Sequence, residues 1–299
     1  MKQSIAILFG DGNDVDINEK KINLSTAQSI KFSLDEIGFE GVLCPVNRER
    51  TIDSYNFDYC FNLCDGDFYT SSCMWCVCKG LETREKMFTG NSCSCIQNTF
   101  NKRTCQEILQ RENLPIPCTD KNVHEFPFLM KPNIGHGSLK ITSKNIINSS
   151  KQYFDFLENN DAGNFYSEEF ISGREIHIAL IGERVIGWSE CEFSKGRQIL
   201  DYETKWLNAP GVNKVAGIVF RSKVLKACRD LAVAAFKAVG GTSYGRVDLR
   251  VRDDKPYIID VNPNCCLDKV CSFYNIYKET GKSYTDMVRE IIKNDLWQL

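Results

Sequence analysis

Between Ser243 and Asn264 the chain reads SYGRVDLRVRDDKPYIIDVNPN, and its polar positions Arg246, Asp248, Asp260 and Asn262 are types that do chemistry. Val247, Leu249 and Val251 alternate with Arg246, Asp248 and Arg250, and Ile259 and Val261 alternate with Asp260 and Asn262. That period of two predicts two strands, each with one apolar and one polar face. A three-residue turn over Asp253, Asp254 and Lys255 makes them a hairpin with Asp248 opposite Asp260 and Arg246 opposite Asn262. Directly opposed side chains sit about 4.5 to 5.5 Å apart, and two carboxylates at that distance repel unless a proton or a cation lies between them. A hard divalent ion resolves the conflict, because magnesium takes one or two carboxylates together with substrate phosphates. A solvated hairpin whose acids pair with Arg246 and Arg250 is the other reading of the same residues.

The elements that position this hairpin are legible in the remaining pattern. Ser4 to Phe9 is an apolar strand, Ser25 caps a helix running to Ile37, and Gly41 to Val46 and Tyr59 to Leu63 are further strands, which together form a small parallel α/β unit. A helical stretch reaches Leu81 and Glu82, and Phe88-Thr89-Gly90 is a short turn. A helix from about Lys102 to Arg111 ends where Pro115 and Pro117 force an extended exit. Phe128 to Lys131 is a buried strand running into Pro132-Asn133-Ile134-Gly135-His136-Gly137-Ser138, followed by a strand from Leu139 to Thr142. A glycine-rich loop after a strand-end lysine suits phosphate oxygens, which backbone N–H groups can wrap. Phe165 to Phe170, Glu175 to Ile181 and Arg184 to Cys191 are strands. Arg221 to Val239 is a helix with Val224, Cys228, Leu231 and Ala235 on one stripe, placed to back the hairpin. A last helix from Tyr284 to Asn294 buries Met287, Ile291 and Trp297.

Composition narrows the classes. The chain has 299 residues, 42% hydrophobic and 25% charged, with a formal net charge of −2, which describes an ordinary globular protein and excludes a strongly basic nucleic-acid surface. The first strand begins almost at Met1 and no window approaches a membrane-spanning length of apolar residues, so a cytoplasmic location without membrane contact is expected. Fifteen cysteines are many. Cys73 and Cys76 with Cys93 and Cys95 could ligate zinc or an iron–sulfur cluster, but the spacing is not a paired-knuckle pattern, and buried thiols acting as small hydrophobes are the preferred reading.

A strand lysine, a glycine-rich loop, acids near a hinge and a hairpin bearing an arginine, two carboxylates and an asparagine form the set that ATP and magnesium require. In order and spacing the chain resembles the ATP-grasp carboxylate–amine ligases, and most closely their D-alanine–D-alanine ligase-like branch, from about Phe88 to Asn264 and more loosely through the first unit. The resemblance implies a mixed α/β ATP-grasp fold with an N-terminal Rossmann-like parallel domain over residues 1–95, a central ATP-grasp subdomain over 96–165 and a C-terminal subdomain with the metal hairpin over 166–299. It implies ATP, one or two magnesium ions with manganese as an acceptable substitute, an amino acid or small carboxylate and an amine as substrates, and is compatible with a homodimer. Lys102 then matches the first ATP lysine and Lys131 the second, and Ser138 ends the loop over the phosphates. Glu168, Glu169, Phe170 and Ile171 match the adenine hinge, Glu175 the ribose-binding acid and Lys205 a phosphate-contacting lysine on a mobile loop. Arg246 falls on the catalytic arginine, with Lys205 and Ser138 as its partners in catalysis, and Asp248, Asp260 and Asn262 fall on the metal ligands.

Departures from the pattern concern the substrate side. Asp260 stands where the family usually has glutamate, and Asn101 replaces the aspartate that commonly precedes the first lysine. The Pro-Gly turn after the metal asparagine reads Asn264-Cys265-Cys266, with the serine position falling near Cys271. Asn62-Leu63-Cys64-Asp65-Gly66 replaces a His-Gly segment, and no counterpart of the glutamate near the first helix start is evident between Asp14 and Ser25. These differences predict an ATP-dependent amide-forming ligase for another amino acid or small carboxylate, with a role in secondary metabolism. A cyclo-ligase using an internal amine and a catalytically silent ATP-binding regulator are the two alternatives.

Overall fold

Strand–helix alternation at the N-terminus builds a four-stranded parallel sheet in the order β2–β1–β3–β4, from β1 (Ser4–Gly10), β2 (Glu40–Val46), β3 (Tyr59–Asn62) and β4 (Met87–Thr89). The computed structural model describes residues 2–11, 17–47, 49–64, 71–119, 125–135, 141–194, 196–201, 204, 210–216 and 222–296. Ile5, Ala6, Ile7 and Leu8 are all buried, as a central parallel strand covered on both faces requires. Phe88 and Thr89 therefore lie in a fourth strand rather than a turn; three residues are too few for alternation to show.

Helix α1 (Ile17–Glu36) begins before Ser25, which sits inside the helix instead of capping it. Its apolar stripe of Ala27, Ile30 and Leu34 occupies only the second half, so the polar first turns carry no periodic signal. Helices α2 (Ser71–Thr83), α3 (Cys93–Phe100) and α4 (Lys102–Arg111) lead into an antiparallel three-stranded sheet, β6–β5–β7, made of β5 (Phe128–Pro132), β6 (Ile146–Ile147) and β7 (Phe165–Glu169), with α5 (Ser150–Asn159) between β6 and β7. The strand expected at Leu139–Thr142 is not formed at Ile141 and Thr142; β5 pairs with Ile146 and Ile147 instead, and Leu139 and Lys140 lie outside the described residues.

The largest sheet is antiparallel, in the order β10–β9–β8–β11–β12, from β8 (Arg174–Ile181), β9 (Arg184–Phe193), β10 (Val212–Ala216), β11 (Tyr244–Arg252) and β12 (Lys255–Pro263). Ile176, Ile178, Leu180, Val247, Leu249, Val251, Ile258 and Val261 share one core with Val224, Cys228, Ala232, Ala235 and Phe236 of α6 (Ser222–Ala238), so the helix backs the hairpin as its stripe predicts. A Cβ at Gly245 would stand 2.4 Å from the Phe236 ring, and this close approach requires glycine there. Toward the C-terminus lie α7 (Ser272–Lys278) and α8 (Tyr284–Asp295), whose Met287, Val288 and Ile291 pack in a single core with Ile5 and Ile7 of β1 and Ile30 and Leu34 of α1. Trp297 lies outside the described residues.

That junction contains a buried acid. Asp295 accepts hydrogen bonds from the Gly90 amide at 2.9 Å and the Ser243 hydroxyl at 2.5 Å, and burial, opposed by those bonds, raises its carboxyl to about 6. A carboxyl raised in the folded state contributes stability that is full below its unfolded value near 3.9 and is lost as pH rises through about 6. Asp295→Asn, which keeps an acceptor but cannot ionise, is therefore expected to gain stability relative to the parent protein as pH rises from 5 to 8, by about 1.4 kcal/mol. Thermal melts of the two proteins across that range check it, and a difference that does not change with pH contradicts it.

Candidate active site

The hairpin register sets the centre of the site. Arg246 pairs with Asn262 and Asp248 with Asp260, the pairing expected from the alternation. The turn is shorter than expected: Asp253 and Asp254 alone form it, both at positive φ (52° and 60°), a conformation that aspartate tolerates better than most residues, and Arg252 pairs with Lys255. A bulge between Asp248 and Leu249 absorbs the difference, because Leu249 lies opposite Ile258 and leaves Ile259 as the extra residue. Ile258 and Val261 stay in the core while Ile259 and Asp260 both line the cleft.

Across the cleft, β5 and β7 supply its other wall. Lys131 reaches the Ile259 carbonyl at 2.9 Å and Glu168 at 2.7 Å, so the bulge is also the lysine's acceptor. Glu168 is buried and accepts from Gln106 at 2.9 Å and Tyr166 at 3.1 Å as well. Lys102, in the first turn of α4, bonds Asp260 at 2.5 Å. Asn101 caps that helix by accepting from the amides of Arg103 and Thr104, a task asparagine performs as well as the aspartate it replaces. Burial raises the Asp260 carboxyl, but Lys102 and Lys131 outweigh it even against Asp248 and hold it below the ordinary carboxylate value.

The cleft between these walls contains about 600 Å³ of empty space, part of it open to solvent. Its charged lining includes Lys131, Glu168, Glu175, Asp248 and Asp260, and its lining also includes Glu169, Phe170 and Ile171 with Leu129, Ile199 and Leu200. Lys102 joins through Asp260, and Arg246 and Asn262 join through Asp248, which accepts from the Arg246 guanidinium at 2.7 and 2.8 Å and from the Asn262 amide at 3.1 Å. All the proposed nucleotide and metal residues within the described chain thus gather at one site; Ser138 and Lys205 lie outside the described residues. Two carboxylates and an amide on neighbouring hairpin positions, flanked by two lysines and an apolar slot, fit a hard cation and a nucleotide triphosphate.

Some partners differ from the sequence expectation. Arg250 does not serve the hairpin acids; it grips Glu175 on β8 at 2.7 and 3.0 Å and lies over the rings of Phe170 and Phe193 at 5.3 and 5.2 Å. Burial raises the Glu175 carboxyl, but Arg250 and His177 outweigh it and hold it well below the ordinary value. The hinge amides of Glu169 and Phe170 donate to Cys118 at 2.8 Å and Pro127 at 3.4 Å. A buried glutamate does stand at the start of the first helix: Glu19, in the first turn of α1, overlooked because no apolar period surrounds it. Ser272, one residue past the expected position, has its hydroxyl 3.4 Å from Arg246. Burial raises the thiols of Cys78, Cys95, Cys105 and Cys265, the latter three to about 12, which suits neutral small hydrophobes; the side chains of Cys73 and Cys76 lie outside the described residues.

The family model described as "D-ala D-ala ligase C-terminus" matches residues 102–293, which span every described residue of this cleft. The chain belongs to the D-alanine–D-alanine ligase family. By that membership it is an ATP-dependent carbon–nitrogen ligase of the ATP-grasp type. The D-alanine–D-alanine ligase of Pelagibacter ubique is 24% identical to it over 315 residues, covering 98% of both chains. The crystal structure of the Bacillus anthracis D-alanine–D-alanine ligase complexed with ATP superposes with a TM-score of 0.78 at 18% identity, over 99% of this ligase and 98% of that chain. The VanG D-Ala:D-Ser ligase of Enterococcus faecalis gives a TM-score of 0.77 at 16% identity, over 98% and 99%. The ligase thus has the ATP-grasp fold across its whole length, and none of its described helices is long and apolar enough to cross a membrane.

Proposed function

We propose that this ligase joins an amino acid or small carboxylate to an amine through an acyl phosphate, with ADP and phosphate as co-products. The observation that carries the reading is the convergence of Lys131, Asp248 and Asp260, with Lys102 bonded to Asp260, in a cleft whose apolar lining includes Phe170, Ile171 and Leu200. The apolar slot suits a nucleobase, Glu175 the ribose, and the lysines the phosphates. Asp248, Asp260 and Asn262 would hold magnesium, which when bound offsets charge on the phosphoryl oxygens. The transferred phosphoryl group forms a bond to a substrate carboxylate oxygen as its bond to ADP breaks. The amine then attacks the acyl carbon, phosphate leaves with the carbon–oxygen bond's electrons, and the amine's proton passes to solvent. Arg246 stands beside Asp248 to donate to the oxyanion formed on that attack.

The acceptor side departs from a D-alanine pair. Asn264, at φ 50°, is fixed by the Asn91 amide and side chain at 2.7 and 3.0 Å, and Cys265 and Cys266 follow it where the family places a Pro-Gly turn. We read this as specificity for a different amino acid or small carboxylate, used in secondary metabolism. The experiment is a screen of amino acids, singly and in pairs, with ATP and magnesium for phosphate release, with products identified by mass. The reading expects a joined product from a pair other than two D-alanines. A product one water lighter than a single substrate would instead make the protein a cyclo-ligase, and ATP binding without phosphate release from any substrate would make it a silent binder.

A further inference from the structure

Beside the nucleotide cleft, the polar face of the large sheet carries two side chains that the ligase chemistry does not use, His177 and Cys191, next to the cleft-lining Glu175. Cys191 on β9 is paired across from Glu175 on β8, and His177, two residues farther along β8, is paired across from Asp248 on β11. Register therefore places a thiol, an imidazole and a carboxylate side by side on one face. All three residues are buried, and His177 Nε2 lies 3.3 Å from Glu175 Oε1 and 3.6 Å from Cys191 Sγ. One ligand atom from each lies within 4.8 Å of the others.

These separations are those of a metal's ligands. Tetrahedral zinc, at about 2.0 to 2.1 Å from nitrogen and oxygen and about 2.3 Å from sulfur, holds its ligand atoms about 3.3 to 3.7 Å apart. The imidazole–carboxylate and imidazole–thiol gaps already have that size. Glu175 divides its oxygens to suit: Oε2 takes both bonds from Arg250, and Oε1 faces the imidazole. Thiolate and imidazole prefer zinc-class cations, whereas the all-oxygen set of Asp248, Asp260 and Asn262 prefers magnesium, so two neighbouring sites differ in the ion they select.

We propose that Glu175, His177 and Cys191 form a binding site for a soft divalent cation of the zinc class. Binding converts the Cys191 thiol to a thiolate, and its proton goes to solvent. Asp248 Oδ1 lies 3.7 Å from His177 Nε2, so an ion there competes for a carboxylate of the magnesium wall. Loss of turnover on zinc binding is the consequence, and this consequence alone rests on the ligase reading.

The test is cobalt(II) titration of the reduced full-length protein without nucleotide or magnesium. A sulfur-to-cobalt charge-transfer band with the visible absorption of tetrahedral cobalt is expected at one equivalent, reversed by zinc. Cys191→Ser should abolish that equivalent's charge-transfer band, and Cys118→Ser, at an exposed thiol, should retain it. His177→Asn should lose the tetrahedral signal, and it serves as the deciding variant if Cys191→Ser does not fold. A wild-type band that persists in both Cys191→Ser and His177→Asn, or a folded wild-type protein that gives no band, overturns the proposal. Phosphate release with magnesium alone reports on the ligase reading separately.

Discussion

Arg246→Ala is expected to lower kcat by about 10²- to 10³-fold, the cost of removing one donor from an oxyanion. The guanidinium lies along both oxygens of Asp248 at 2.7 and 2.8 Å and is mostly buried, so it is already oriented before any substrate arrives. Truncation has a second effect. Asp248 would keep the Asn262 amide but lose its main counter-charge, and an uncompensated buried charge costs about 3 to 5 kcal/mol. The variant should therefore melt earlier than the parent protein as well as turning over more slowly. Arg246→Lys keeps a positive charge but not the two-pronged geometry, so it should recover much of the stability and little of the rate. Steady-state kinetics at saturating ATP, beside thermal melts, separate the two effects; an unchanged kcat in Arg246→Ala would remove the residue from the chemistry.

Lys131→Met is expected to abolish detectable ATP binding at millimolar nucleotide. Lys131 and Glu168 form an ion pair that is 12% and 3% exposed, and removing the lysine leaves a buried carboxylate supported, among the described residues, by Gln106 and Tyr166. A folding penalty accompanies the binding loss, again on the order of 3 kcal/mol. The double variant Lys131→Met, Glu168→Gln removes that stranded charge. It should melt close to the parent protein while still failing to bind nucleotide, which distinguishes a phosphate-holding lysine from one that merely neutralises Glu168. Calorimetric titration with ATP provides the readout, and binding in the double variant at parental affinity would contradict the assignment.

The parts of this site readable in the sequence are those governed by period and register. Alternation along Val247 to Val251 required one apolar face, and once the strands were paired, Asp248 had to meet Asp260. The bulge at Ile259 was not readable, since it conserves the pairing at the acids while changing the turn, and the contact it creates with Lys131 depends on a strand more than a hundred residues away in sequence. The ion pairs were hidden for the same reason. Arg250 has a hairpin acid two residues away in Asp248, yet its partner is Glu175, the residue opposite it on the neighbouring strand β8. Glu19 shows the converse limit: a single polar residue in a polar helical turn has no pattern to mark it, and its burial emerges only when α1 docks.

The central claim is that a substrate carboxylate is phosphorylated before the amine attacks. It is tested most directly by supplying the accepted substrate with its carboxylate labelled with oxygen-18, and following the label by mass spectrometry of the released phosphate. The account predicts one labelled oxygen in each phosphate formed with the amide product. Amide formation with unlabelled phosphate, or with the label in AMP, would contradict it.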